Sequence, residues 1–379
     1  MITKKTFRYR LRPKRKQLSL FAQGCGACRW VYNRALAERK RVWEEEQRSI
    51  RLYDQHHDLA LLKSMPETAW LKEVHSQILQ QALHDLDDAY QHFFRRIKNK
   101  ETPGYPKFRR KGEHDSFRYP QGVKVKEDFV YLPKIGWVRF RKSREIEGVI
   151  KQTTVKCEAG HWYVIFSCEV EIPTPKIIEE TPRCVGVDLG LKSFAVFAGE
   201  EGIKEVGNPR FLKKGLSRLR YLSRQLSKKI KCSKNRSRAK RALSHCHRSI
   251  RNKRNDFLQK LSTKLVKSHD KIVVESLNVK KLLMSSSVSM ARSISDVGWR
   301  QFLQMVKYKC EHLGKILVEV GQFFPSSQLC SSCGRRHPMA LSDRTYNCQC
   351  GLSMDRDHNA ALVLRAAGAS VQSLRSCPQ

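Results

Sequence analysis

The stretch Cys184-Val-Gly-Val-Asp-Leu-Gly-Leu-Lys-Ser-Phe-Ala-Val-Phe197 decides how this chain folds. Val185, Val187 and Leu189 alternate with small or polar positions, and Phe194 to Phe197 resume an apolar run. That predicts a buried strand, a glycine turn and a second strand. Asp188 stands where the first strand runs out, and Gly186 and Gly190 leave open space beside it. A lone carboxylate on an apolar strand is costly to bury unless a cation or a hydrogen-bonding partner meets it. Taken alone, the pattern equally fits a turn-forming Asp before Gly190. The rest of the chain must decide.

Downstream, His269-Asp-Lys-Ile-Val-Val-Glu-Ser-Leu-Asn278 holds a second short strand, ended by Glu275 as Asp188 ends its own. Asp355-Arg-Asp357-His-Asn-Ala-Ala-Leu-Val-Leu364 reads as a polar turn opening an Ala-rich helix, with Asp357 at its start. Three acids from three separated segments, each at the edge of an α/β core, form a constellation that none suggests alone. Gathered carboxylates repel unless divalent cations are present, and hard oxygen ligands select Mg²⁺ or Mn²⁺. A pair of such ions clamps the attacking and leaving oxygens of a phosphodiester displacement.

Composition points the same way. The 379 residues hold 74 Lys and Arg against 36 acids, a net charge of +38. Self-repulsion of that size does nothing for a fold, so a polyanionic partner is expected. Between Glu205 and Asp256 there are 18 Lys and Arg and no acid. Leu216, Leu219, Leu222 and Leu226 mark one helix there, and Leu243, Ile250, Phe257 and Leu261 another. A basic hairpin lying on phosphates follows, with Arg236, Arg238, Lys240 and Arg241 as candidate contacts. No apolar run approaches the roughly 20 residues a membrane span needs, which predicts a soluble protein.

Thirteen cysteines are scattered except for one cluster, Cys330-Ser-Ser-Cys333 and Cys348-Gln-Cys350. Two pairs on Gly-bearing knuckles suit one closed tetrahedral Zn²⁺ site, structural because no position is open to water. Cys25 and Cys28 have no second pair nearby and read as two small residues on a helix.

Upstream, Thr3 to Arg12 alternates basic and apolar side chains as a strand does, and helical spacing follows from Gln17 and again over 58–100. Pro103-Gly-Tyr-Pro-Lys-Phe-Arg-Arg-Lys-Gly112 is basic and aromatic together, a mix suited to nucleic-acid backbones and bases, with Arg109, Arg110 and Lys111 as candidate contacts. Short strands over 116–172 predict a small antiparallel barrel or sheet, and Pro173–Pro182 a linker. The serine-rich segment Ser285–Ser295 is expected to be a mobile loop.

With these motifs in view, the chain resembles the TnpB family, transposon-encoded RNA-guided nucleases related to type V CRISPR effectors. The match runs nearly end to end through FRYRLRPKRKQ, VYNRAL, GYPKFRRKG, LPKIGWVRFR and GVDLGLKSFAV. ARSISDVGW, FFPSSQLCSSCG and CGLSMDRDHNAA complete it. The resemblance implies a multidomain α+β protein. It places a wedge β-barrel at 1–14 and 103–175, interrupted by a helical recognition domain at 15–102. A ribonuclease H-like (RuvC) nuclease domain takes 176–325 and 353–379, and a zinc ribbon is inserted at 326–352. Asp188, Glu275 and Asp357 become the catalytic triad binding two Mg²⁺ or Mn²⁺ ions, and Cys330, Cys333, Cys348 and Cys350 the zinc ligands.

The implied partners are a guide RNA from the transposon end and double- and single-stranded target DNA chosen beside a short motif. Tyr53, Ser76, Gln77 and Gln80 fall in the helices that read that motif. The protein would act as a monomer within its ribonucleoprotein, in the cytoplasm of a prokaryote. Two departures are visible: Ser276 follows Glu275 where an acid is common, and Cys-x-Cys replaces the usual second knuckle. Competing readings are a guided binding protein that does not cut, and a strand-transferring transposase on the same fold. A sugar-kinase or actin-like ATPase shares the Gly-x-Asp-x-Gly strand, but the further phosphate-binding glycine motifs it needs are missing.

Overall fold

Alternation at the start of the chain does form a strand: β1 (Ile2–Arg12) buries Phe7, Tyr9 and Leu11 and turns Arg8, Arg10 and Arg12 outward. The structure, a computed structural model, describes residues 2–113, 115–172, 182–322, 324–340 and 343–373, in two units, Ile2–Glu171 and Ile172–Gln379. The expected linker Pro173–Pro182 lies, Pro182 apart, outside the described residues, as does the tail from residue 374. No described helix is long and apolar enough to cross a membrane.

In the first unit, α1 (Arg15–Glu46), α2 (Leu52–Ser64), a 3-10 segment (Pro66–Glu73) and α3 (Ser76–Lys98) follow β1. Six strands come next: β2 (Ser116–Tyr119), β3 (Lys124–Lys126), β4 (Phe129–Leu132), β5 (Gly136–Arg141), β6 (Val149–Glu158) and β7 (His161–Glu171). They make one antiparallel sheet in the order β2-β6-β7-β1-β5-β4-β3. β1 is central because Ile2–Arg10 pair with β7 and Arg10–Arg12 with β5. Tyr9 packs on Phe140 and Phe166 at 5.2 and 6.0 Å between ring centroids. α1 adds Phe21, Cys25, Cys28, Val31 and Leu36 to the same core. Each large apolar side chain so buried contributes roughly 1.5–3 kcal/mol. Edge strands β2 and β3 are only four and three residues long, which leaves little open backbone for stray pairing.

The second unit is built on the opening stretch. β8 (Cys184–Leu189), β9 (Ser193–Gly199) and β10 (Gly202–Gly207) form an antiparallel meander. α4 (Phe211–Ser227) and α5 (Lys234–Ser268) then lead to β11 (Lys271–Glu275), which returns parallel to β8. α6 (Val279–Met284), α7 (Val288–Val297) and α8 (Trp299–Leu313) precede β12 (Ile316–Val320), parallel to β11. The strand order is β10-β9-β8-β11-β12. A small hairpin, β13 (Thr345–Asn347) and β14 (Ser353–Asp355), runs directly into α9 (Arg356–Ser373). Val185, Val187, Ile272 and Val274 share one core with side chains of α5, α7 and α8.

The serine-rich segment is not a loop. Ser287 caps α7 by accepting from the Met290 amide at 3.4 Å, and Ile294 and Val297 are buried. Asp296, also buried, holds the Arg254 guanidinium at 2.6 Å and the Leu212 amide at 2.8 Å. Serine weakens helix propensity, but burial of one face and this ion pair outweigh it.

Candidate active site and thiolate cluster

Period two puts Asp188 and Glu275 on the sheet face opposite the one packed on α5 and α8. In the parallel ladder Lys271 lies opposite Cys184 and Val274 opposite Val187, so the two strand-ending acids emerge side by side. α9 crosses this face. Asp357 Oδ2 is 3.9 Å from where a Cβ on Gly190 would stand. One turn on, the Ala361 carbonyl oxygen is 2.0 Å from the same point on Gly186. Farther along, a Cβ on Gly368 would stand 2.3 Å from Val273 and 3.5 Å from Cys184. The open space expected beside Gly186 is therefore filled by helix backbone. That close approach brings Asp357 to the carboxyl end of β8.

Electrostatics register the meeting. Burial, then the nearby Asp357 and Glu275, push the Asp188 carboxyl up to about 7, against the opposing pull of Arg356. Burial also raises Glu275, partly offset by a hydrogen bond from the Ser326 hydroxyl. Arg356 is one cation against three carboxylates, and the remaining crowding is the condition a hard divalent cation relieves. Their oxygens are not all as close as 4.8 Å, in contrast to the thiols described next. Asp355 does not join them. Its Oδ1 accepts from the Asp357 and His358 amides at 2.8 and 3.4 Å, capping α9 and steadying Asp357.

The four cysteines converge: all four Sγ atoms of Cys330, Cys333, Cys348 and Cys350 lie within 4.8 Å of one another. Cys330–Cys350 and Cys333–Cys348 are 3.6 and 3.5 Å apart. A tetrahedron with Zn–S bonds of about 2.3 Å places its sulfurs about 3.8 Å apart, so the donor set fits zinc. The shorter Cys-x-Cys knuckle brings both its sulfurs into the cluster, as the longer one does.

Two supports were not legible in the sequence. His337 Nε2 sits 3.4 Å from Cys348 Sγ, where a ring N–H would hold the thiolate from outside. Asn359, fully buried on α9, donates to the Leu329 carbonyl at 2.6 Å and accepts from the Ser331 amide at 2.9 Å. It clasps the first knuckle two residues from Asp357. The CGLSMDRDHNAA motif contained this asparagine, but nothing local hinted at a partner 30 residues away.

The candidate nucleic-acid contacts separate into two kinds. Arg110, Lys111, Arg238, Lys240 and Arg241 are exposed. Arg109 is held inside the fold, its guanidinium 3.9 Å from the Tyr32 ring centre and 2.9 Å from Asp85. Arg236 donates to the Leu226 and Lys229 carbonyls at 3.1 and 2.9 Å, bracing the turn between α4 and α5. Tyr53 is 81% exposed near the start of α2. Ser76, Gln77 and Gln80 share the first turns of α3, and Ser76 accepts from Lys63 at 2.8 Å.

Comparison with known proteins fits these features. Residues 166–286 match the family described as "Probable transposase" (OrfB_IS605), and residues 299–364 a Cas12f1-like TNB domain. Residues 1–48 match a "Helix-turn-helix domain", although here they form β1 and one long helix, α1. "Putative RNA-guided DNA endonuclease InsQ" of Escherichia coli (strain K12) is 35% identical over 96% of this chain and 92% of its own length. A Streptomyces pristinaespiralis protein of the same description is 36% identical over 96% and 89%. Among solved structures, the Cas12f1–sgRNA–target DNA complex superposes with a TM-score of 0.59 at 14% identity, covering 96% of this chain and 99% of that one. The mini-RNA-guided endonuclease CRISPR-Cas phi3 gives 0.52 at 9%, covering 97% and 92%. At those identities the likeness is one of fold.

Proposed function

The chain belongs to the TnpB family, and on that footing we propose that it is an RNA-guided DNA endonuclease with a RuvC-type site at Asp188, Glu275 and Asp357. The observation that carries this reading is the convergence of the three acids on the α9 face, close enough for Asp188 to feel the other two. The strand order β10-β9-β8-β11-β12, an antiparallel meander beside parallel strands, supports a ribonuclease H-like domain.

In this reading Asp188, Glu275 and Asp357 would hold two Mg²⁺ or Mn²⁺ ions, which activate water and neutralise charge on the leaving oxygen. The chain's own residues prepare the place. Ser326 orients Glu275, Asp355 fixes the first turn of α9, and Gly186 lets that helix reach β8. Arg356, beside Asp357 at 3.8 Å, opposes the crowding of negative charge. The thiolates would hold one structural zinc.

Exposed cations of the α4–α5 hairpin, Arg238, Lys240 and Arg241, are assigned to the guide RNA backbone, and Arg110 and Lys111 to phosphates near the first unit. Tyr53, Ser76, Gln77 and Gln80 read the short motif beside the target. The sheet of the first unit serves as the wedge domain and its helices as the recognition domain. The protein works in the prokaryotic cytoplasm as a monomer around its RNA.

The test is to purify the ribonucleoprotein, sequence its RNA, and assay a matching DNA target. Asp188→Ala, Glu275→Gln and Asp357→Ala should each lose several orders of magnitude in cutting while target binding persists. Cutting that survives all three single changes would place the chemistry elsewhere.

A further inference from the structure

In the first unit, α1 and the 3-10 segment border an open concavity of about 690 Å³ whose lining includes Gly26, Arg29, Trp30, Arg34 and Trp70. Trp30 and Trp70 meet edge to face, centroids 5.6 Å apart and planes at 75°. Trp30 rests half-buried against the core, but Trp70 is not drawn into it: Leu71 is turned fully inward, while its neighbour Trp70 is left 37% exposed. The slot floor contains a glycine in mid-helix. Gly26 costs α1 about 1 kcal/mol relative to alanine. No close packing among the described residues requires it, since a Cβ there would meet only the Arg29 guanidinium, at 3.9 Å. Gly24, two residues earlier, differs: a Cβ there would touch Phe117 at 3.4 Å.

We propose that this slot is a binding site for one unpaired nucleobase of single-stranded nucleic acid, stacked on an indole, with its phosphate toward Arg34. Two aromatic walls at an angle offer a π face and an edge, which any base can use. Exposed Arg34 lies 5.7 Å from the Trp30 ring centre and supplies the cation. Arg29 is partly engaged, 3.6 Å from Asp115. The lining holds two arginines and no acid, and the adjoining Glu73, which keeps its charge, accepts from the Gln23 amide at the rim. An apolar protein side chain would fit the walls, but the +38 charge of the chain selects a polyanion. The inference rests on the nucleic-acid-binding part of the proposed function and adds a site to it.

The test is equilibrium binding of a short unstructured RNA, and of a DNA of the same sequence, to the full chain over a range of salt. Wild-type protein should bind with steep salt dependence. Gly26→Leu, which fills the slot while improving helix propensity, should keep or raise the melting temperature and weaken binding. Trp70→Ala should weaken it by roughly 5- to 150-fold with the salt slope unchanged, as loss of a stacked base does. Arg34→Ala should flatten the slope by about one ion. An RNA-only or a DNA-only effect identifies the source of the base. If wild type binds and Gly26→Leu binds equally well, the slot is not a site although the general reading stands. If wild type binds neither strand, both fail.

Discussion

Gly186→Ala is the sharpest probe of the site because it removes no functional group. The new Cβ would stand 2.0 Å from the Ala361 carbonyl oxygen and 2.5 Å from the Arg365 amide nitrogen. Ordinary contact begins near 3.4 Å, so helix and strand must part by about 1.4 Å at that point. Overpacking of this kind costs about 1–3 kcal/mol. At roughly 2–4 °C per kcal/mol for a unit of this size, the melting temperature should fall by about 2–12 °C. Asp357 lies one turn away on the same helix, and a displacement near 1 Å in a reacting constellation costs on the order of 100-fold in rate. Single-turnover cleavage measured beside target binding should show that loss with binding retained, at a temperature well below the new melting point. Gly207→Ala is the control: it sits in the same sheet with nothing within 4 Å of the new Cβ. Wild-type cutting and melting in Gly186→Ala would refute the seating of α9 on β8.

Three further outcomes are expected. Asp355→Ala removes the α9 cap at a cost of about 1 kcal/mol and should lower cutting modestly; Asp355→Ser should restore it, whereas no substitute at Asp357 should. Reversing Arg238, Lys240 and Arg241 should weaken RNA binding and flatten its salt dependence without changing the melting temperature, while Arg236→Glu should lower stability first, which thermal unfolding distinguishes. Hydrogen bonds from Arg183 and Lys315 hold the Asp270 carboxyl at about 2. A depressed carboxyl stabilises above its unfolded value near 4 and loses that contribution as pH falls through about 2, so Asp270→Asn should flatten the stability profile in that window.

The acids and thiols were legible because their information is local. A strand that ends in Asp or Glu declares itself by period two, and a pair of knuckles by spacing. What stayed hidden depends on partners distant in sequence. Arg109 and Arg236 look like any other surface cations until Asp85, Tyr32 and the end of α4 are seen to engage them. Residues 285–295 read as a loop because serine argues against helix, and Arg254, 42 residues away from Asp296, was out of sight. Gly186 read as open space for the same reason: the helix that fills it enters some 170 residues later.

Asn359 has a thermodynamic consequence. It binds the backbone on both sides of Cys330 from a helix turn that also presents Asp357. If both proposed metals bind, one on the thiolates and one on the carboxylates, each would bias the position of one shared turn. Linkage makes the effect reciprocal: whatever factor zinc contributes to magnesium affinity, magnesium returns to zinc. Stripping zinc would then raise the magnesium concentration needed for cutting before the knuckles unfold, and Asn359→Ala would uncouple the two with zinc still in place. Under the proposed function, the thiolate cluster would then act as a second dial on cutting, set by whether its metal is bound.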